Sequence, residues 1–318
     1  MHIKVLGAGA GGGLPQWNCN AKNSRDARNG HEDIKPRSQS SIAISRDGNQ
    51  WVLLNASPDI RQQIFDNPQL HPKTDGPPRS SPIEAVVLTN GDVDHIAGLL
   101  CLREGHAFNI YAAERVINTL NANSIFNVLN PEKVKRHTKP LGKPFEIEGP
   151  SGPLGLTITP FAVPGKVALY LEDQDKANGQ NFGTEEGDTI GLFIEEIDQN
   201  PATEQTKSFF YIPGCAALDD TLKQRITGAN LIFFDGTLYT NTEMLDQGLL
   251  PKTGERMGHM NMSGENGSLQ AFQNLAIKQK IYIHINNSNP VLRENSKERT
   301  TVEAAGWQVA YDGMEVNI

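Results

Sequence analysis

Asp92, Asp94 and His95 fall within four residues of one another in the stretch TNGDVDHIAGLL, directly behind the apolar run Glu84-Ala85-Val86-Val87-Leu88. Asn90-Gly91 is a turn dipeptide and Ile96-Ala97-Gly98-Leu99-Leu100 begins an apolar helix, so the three groups cluster at a strand-to-helix junction. Two carboxylates and an imidazole placed there suit metal ligation. The plainer alternative is that an aspartate caps the helix and His95 lies in its first turn. A second histidine stands in KIYIHINNSNPVL, where alternation puts Ile281, Ile283 and Ile285 on one strand face and Tyr282, His284 and Asn286 on the other. His284 thus turns from the apolar face toward a polar tail at a sheet end, as a ligand or as a hydrogen-bonded histidine on a half-exposed strand. A third, His259 in RMGHMNMSG, occupies a Gly- and Met-rich loop ahead of Ser263, where ligand, proton shuttle and surface residue are all open.

Other reactive groups are less pointed. Gly7, Gly9 and Gly12 in LGAGAGGG satisfy G-x-G-x-x-G behind a strand, the pattern of a pyrophosphate loop. Pro15 and the Asn-rich run after it break the required helix, and no second strand ends in an acid at the right distance. A dinucleotide fold is therefore rejected, leaving a glycine loop that permits close approach of backbone or ligand. Cys19, Cys101 and Cys215 are far apart and match no CxxC zinc spacing, so no disulfide framework is expected and Cys19 reads as a buried, inert thiol. His2, His31, His71, His106 and His137 lie in polar or terminal contexts that favour solvated or structural roles.

The elements that must position these groups are short. Strands are predicted over 2–6, 41–44, 51–54, 85–89, 109–112, 156–161, 189–195, 208–212, 231–235, 280–285 and 307–311. Helices are predicted over 57–65, 94–103, 114–120, 219–226, 263–278 and 296–305, several opening on a Ser or Asp able to cap them. Residues 70–82, 173–187 and 198–207 read as polar or Pro- and Gly-dense loops. The mixture is α/β, and no loop is long enough to force a boundary, so one domain over 1–318 is the simpler reading.

Composition narrows the class. At 318 residues the chain can bury a substantial core, and its 37% hydrophobic content is ordinary for a globular protein. The formal net charge of −8 favours neither nucleic acid nor a membrane surface as partner. The start, Met1 to Gly7, lacks a signal-peptide core and no run approaches the ~18 apolar residues of a membrane span, so a soluble, cytoplasmic protein is expected.

Asn90-Gly91-Asp92-Val93-Asp94-His95 occupies the six positions of the H-x-H-x-D-H hallmark of the metallo-β-lactamase fold. With LGAGAGGGLPQWNCN, LLNASPDIRQQI, FAVPGKVALY, YIPGCAAL, FFDGTLYTNTEM, MGHMNMS and HINNSNPVL, the chain resembles, over nearly its whole length, the pyrroloquinoline quinone (PQQ) biosynthesis protein B family. The resemblance implies a four-layer αββα sandwich, similar to the phosphodiesterase branch of the fold, with the site at one edge of the paired sheets. Hydrolases of this fold hold two metals. Here the leading histidines are replaced by Asn90 and Asp92, the later-loop histidine is lost within VPGKV, the bridging aspartate falls near Gly214-Cys215, and the usual acid of the early strand is Asn55. One metal site is thus dismantled, while Asp94, His95 and His284 match all three ligands of the other.

Two histidines and one carboxylate leave neighbouring positions of an octahedral ion open, which suits Fe(II) binding O₂ beside a substrate. Zinc more often takes a tetrahedral site with one open position. A two-metal hydrolase needs both ions, roughly 3.5–4 Å apart. The favoured reading is a mononuclear non-haem Fe(II), O₂-dependent hydroxylase of the tyrosine moiety in a glutamate-tyrosine cross-linked PQQ precursor. In it Asp94, His95 and His284 bind the metal, and Asp92 is a fourth ligand or supports one. His259 is the acid/base, and Asp235 orients a ligand or shuttles a proton unless it only forms the turn before Gly236. Lys166 and Arg61 bind substrate carboxylates unless they are ordinary surface charges. Purified protein can carry zinc whatever the native ion. The partner is a small-molecule or dipeptide-like precursor, with no nucleic acid and no membrane insertion; a homodimer and contacts with other proteins of the pathway are compatible with it. The alternatives are a zinc-dependent hydrolase of the phosphodiesterase type and a carrier aiding transport of PQQ or its precursor to the periplasm.

Overall fold

Strand residues alternate between two hydrophobic environments, and that alternation sets the layers. In the strand Leu231–Asp235, Leu231 and Phe233 join one core while Ile232 and Phe234 join another. In a computed structural model, which describes residues 1–173, 183–197 and 207–318, the strands assemble into two seven-stranded sheets. The first contains β1 (His2–Gly7), β2 (Ser41–Ser45), β3 (Trp51–Leu54), β4 (Ile83–Val87), β5 (Phe108–Ala112) and β6 (Val134–Thr138). The second contains β7 (Phe145–Gly149), β8 (Gly152–Ala162), β9 (Ile190–Glu196), β10 (Ser208–Ile212), β11 (Leu231–Asp235), β12 (Gln279–Ile283) and β13 (Trp307–Val309), and β14 (Glu315–Asn317) returns to the first sheet beside β1.

Between the sheets lies a core that includes Ile42, Val52, Val87, Leu192, Tyr211, Phe233 and Ile281, all buried. Each such side chain contributes about 1.5–3 kcal/mol through removal from water. The outer face of the first sheet is covered through Ile60 of α2 (Ile60–Asp66) and Val116 and Leu120 of α4 (Glu114–Ala122). The outer face of the second is covered through Leu222 and Ile226 of α5 (Asp220–Ile226) and Val302 of α9 (Lys297–Ala304). Helix, sheet, sheet, helix is the αββα sandwich expected. The short helices α1 (Lys22–Arg28), α6 (Glu243–Asp246) and α7 (Gly254–Met257) lie in connections, and among the described residues no helix is long and apolar enough to cross a membrane.

Caps fall where Ser and Asp predicted them for α5 and α9: Asp219 accepts from Leu222 N, and Ser296 from Arg299 N. Two expected helices shrink. Over 94–103 there is only one α-turn, α3 (Val93–Ile96), followed by a 3₁₀ stretch, Ala97–Leu102. The cause is Gly98, whose N–H leaves the helix to bond Ala56 O at 2.9 Å, and whose missing Cβ lets the loop after β3 pass. Over 263–278 only α8 (Ser268–Ala271) is helical, because Gly264 and Ala276 adopt positive φ at its flanks. Three strands were not predicted: β6, β7 and β14 read VKRHT, FEIEG and EVN, too polar or too short to show alternation. Residues 71–82 form no regular element; most of the loops expected over 173–187 and 198–207 lies outside the described residues.

The topology gathers the histidine-bearing segments. β3 to β6 run parallel in the first sheet and β10 to β13 in the second, so β4, β11 and β12 each end beside parallel neighbours. Register pairs Asp235 with Ile283, which places His284 one residue beyond the end of β11. Asn90 forms an isolated bridge to Thr189 at the start of β9, joining the two sheets at that edge.

Candidate metal centre

Asp92 occupies the N-cap position of α3, yet its side chain makes no cap bond, so neither acid of DVDH is committed to capping. His95, on the buried face of that turn, sets its Nδ1 2.7 Å from Asn90 Oδ1. The same oxygen accepts the Asp92 N–H at 3.0 Å, which identifies it as oxygen and makes Nδ1 the protonated nitrogen of His95. His95 Nε2 is therefore a bare lone pair, and it is buried without a hydrogen-bond partner among the described residues.

His284 reaches the same place from the second sheet. It is not the strand residue that alternation predicted: β12 ends at Ile283, and His284 takes a left-handed φ of 59°. Such strain costs about 1–3 kcal/mol and is typical of functional sites. The turn puts Nε2 3.0 Å from Asp94 Oδ2. Thr237 explains the ring's other end. Its hydroxyl donates to Asp235 Oδ1 at 2.6 Å, so its oxygen accepts from His284 Nδ1 at 2.9 Å. Nε2 of His284 and the Asp94 carboxylate are thus two lone-pair groups in contact, an arrangement that calls for a proton or a metal ion between them.

Two groups among the described residues bring three ligand atoms within 4.8 Å of one another: Asp94, His95 and His284, and Asp235, His259 and His284. Hydrogen bonding separates them. Both Asp235 oxygens are saturated, Oδ1 by Thr237 N and Oγ1, Oδ2 by Cys215 N at 2.9 Å and His259 Nδ1 at 2.7 Å. Asp235 therefore orients His259 and cannot also ligate. Asp94, His95 and His284, with an orphaned buried nitrogen and an uncompensated acceptor pair, are the set that fits a metal ion. Asp92 belongs to neither group, although it lines the same cavity.

Electrostatics follow this division. Burial lowers His95 to about 4, so it is neutral at physiological pH, as a ligand must be. Burial pushes Asp94 upward, but the charge that the neighbouring His95 and His284 rings bring when protonated outweighs it and holds the carboxyl well below its ordinary range, the same preference for a cation beside Asp94 that a metal ion would meet. Asp92 is raised to about 6 by burial and by Asp94. Burial pulls His259 down, but Asp235 in contact, with Asp92 and Asp94, makes the net shift upward.

The cavity over these groups has a volume of about 260 Å³. Lys166 lines it, and its ammonium pairs with the half-buried Glu172, which also takes Arg256 at 3.0 Å. Arg61 is a correction: α2 begins at Ile60, which buries Ile60 and leaves Arg61 exposed and outside the cavity wall. The glycine loop does border the site. Gly7 must lack a side chain because a Cβ would lie 2.1 Å from Gln39 O, and a Cβ on Gly11 would meet the Asp94 carboxylate at 3.6 Å. Asn55, in place of an acid, is a buried brace whose carboxamide bonds Thr89 N and Oγ1, both at 2.9 Å. Cys215 is buried and its thiol pKa raised, whereas Cys19 is only half-buried, with Sγ 3.9 Å from Asn287 Oδ1. Sequence reasoning missed Thr237, whose only signal was its place after Asp235-Gly236, and the cavity residues Met244, Leu250 and Lys252, for which no signal existed.

Known proteins share this architecture. The beta-lactamase superfamily domain is matched over residues 50–285. Coenzyme PQQ synthesis protein B of Methylorubrum extorquens is 48% identical over 319 residues, with all of both chains covered. Among solved structures, Zn(2+)-bound PqqB from Methylobacterium extorquens superposes with a TM-score of 0.91 at 47% identity over the whole of both chains. A diphosphatase from the PhnP family, at 19% identity and a TM-score of 0.66 over 100% of this chain and 97% of its own, shares the fold. Full-length identity near one half, on the same sandwich, means that this chain belongs to the coenzyme PQQ synthesis protein B family.

Proposed function

We propose that this member of the family is a mononuclear non-haem iron hydroxylase, using O₂ to hydroxylate the tyrosine moiety of a glutamate-tyrosine cross-linked PQQ precursor. The observation that carries the reading is His95 Nε2, buried, deprotonated and unpartnered beside Asp94 and His284, while Asn90, at a position where hydrolases of the fold place a ligand, holds His95 instead. Two imidazoles and one carboxylate would hold the ion. Fe(II) bound there supplies a redox centre with open positions for O₂ and substrate. Asp235 holds the Nδ1–H of His259, leaving Nε2 as that ring's free nitrogen at the cavity, where it suits acceptance of a phenolic proton. Asp92 lends negative charge beside the ligands, and Lys166 stands at the wall as a positioned cation for a substrate carboxylate. The reaction takes a small-molecule or dipeptide-like precursor in the cytoplasm.

The test is anaerobic reconstitution with Fe(II), then nitric oxide, read by electron paramagnetic resonance. A high-spin iron-nitrosyl signal in wild type, absent in His95→Ala and His284→Ala, is expected. Oxygen incorporation into a tyrosine-derived substrate is the activity to follow, and its absence with iron, O₂ and reductant supplied overturns the reading.

Zinc in the solved relative favours a second reading, a zinc-dependent hydrolase. Nitrogen and oxygen ligands generally hold zinc more tightly than Fe(II), so zinc in a purified sample is compatible with either metal in the cell. Turnover of a phosphodiester without O₂ is the outcome that selects the hydrolase.

A further inference from the structure

Asn286 lines the cavity two residues beyond His284, and a chain of hydrogen bonds fixes which end of its carboxamide faces which way. The chain starts at Glu243, a carboxylate only 4% exposed. Its Oε2 accepts Tyr239 N–H at 2.7 Å and its Oε1 accepts the Ser288 hydroxyl at 2.5 Å. A serine has one proton to give, so with that proton on Glu243 the Ser288 oxygen can only accept. Asn286 Nδ2 donates to it at 2.5 Å and also faces Met244 Sδ at 3.1 Å. Both amide hydrogens are thereby used within the protein, and Asn286 Oδ1 has no hydrogen-bond partner among the described residues.

We infer that Glu243, acting through Ser288, is a positioning residue that turns the Asn286 carboxamide so that its oxygen accepts from an amino group of the molecule bound in the cavity. A donor chain that ends on a carboxylate polarises the amide and makes Oδ1 a better acceptor. Asp92 lines the same cavity without belonging to the ligand set, and its charge favours a cationic donor, an ammonium, over a neutral hydroxyl. The inference rests on reading this cavity as the substrate site, and it is independent of which metal the site holds.

The test uses the full chain loaded with zinc at pH 8, where Glu243 is ionised, titrated calorimetrically with L-tyrosine and with 3-(4-hydroxyphenyl)propanoate, which differ only in the amino group. Wild type is expected to bind L-tyrosine about ten-fold more tightly. In Asn286→Leu, Ser288→Ala and Glu243→Leu the ratio is expected to fall toward one, while zinc affinity stays as in wild type. Where Glu243→Leu does not fold, the other two decide. No preference in wild type, no binding of either probe at millimolar concentration, or a preference that survives Asn286→Leu overturns the inference. The last outcome assigns the amine to the metal. Because no O₂ or turnover enters, failure of the hydroxylase reading leaves this result standing, and the reverse.

Discussion

Asn90 Oδ1 lies 2.7 Å from His95 Nδ1, so the side chain at the first position of the Asn90-to-His95 turn braces the imidazole that closes it. A side chain at this position that ligates competes for the ion; one that accepts from Nδ1 fixes the tautomer and aims Nε2. On the proposed reading, one asparagine both withholds a ligand from a second metal and orders a ligand of the first.

Asn90→Leu removes the acceptor while preserving approximate shape. Metal affinity, measured by competition with a chelator, is expected to fall about 10–100-fold, and Asn90→Asp, which keeps an acceptor, to retain most of it. Equal affinity in Asn90→Leu and wild type means that His95 is not held through Nδ1.

Thr237 joins the two histidine systems, donating to Asp235 and accepting from His284. Thr237→Val leaves His284 Nδ1 and one Asp235 oxygen short of a partner in a buried setting. Unfolding in urea is expected to show a loss of about 1–3 kcal/mol, with metal affinity reduced as well, and Thr237→Ser is expected to restore both.

The sequence shows which residues are reactive better than it shows how they are held. The grouping of Asp94, His95 and His284 as a candidate ligand set is readable because few other residue types ligate and because DVDH follows an apolar strand. Thr237 is not, since FFDGT reads as a turn and its importance arises only when parallel pairing of β11 with β12 sets Asp235 opposite Ile283. Lys166 stands at the cavity, but its partner Glu172 is not foreseeable from spacing, and Arg61 falls outside the cavity because only the start of α2 at Ile60 decides which side faces water. The strands that carry alternation are readable; β6 and β7 are mixed polar segments whose strand state comes from their neighbours.

Gly98 sets the ligand turn against the loop after β3. A Cβ there would stand 2.2 Å from Ser57 O and 2.7 Å from Ala56 O, both rigid backbone atoms. Gly98→Ala is expected to cost roughly 2–3 kcal/mol in urea unfolding and to weaken metal binding by displacing α3. An unchanged urea midpoint shows that the loop gives way freely.

Glu243 supplies the pH dependence with the clearest sign. Burial raises its carboxyl to about 7 from an ordinary 4.5, against the hydrogen bonds from Ser288, Tyr239 and Thr240 that lower it. A carboxyl whose pKa is higher in the folded chain than in the unfolded one takes up a proton on folding. Its contribution is complete below pH ~4.5 and is lost as pH rises through ~7, about 3 kcal/mol over that window. Glu243→Gln cannot ionise, so it carries a fixed change in hydrogen bonding but none of this slope. The stability of Glu243→Gln relative to wild type is therefore expected to rise between pH 5 and pH 8 and to level off above it, as read from urea unfolding at each pH. A difference that stays flat across the window means that the buried carboxylate is stabilised in its charged form, with its hydrogen bonds outweighing burial.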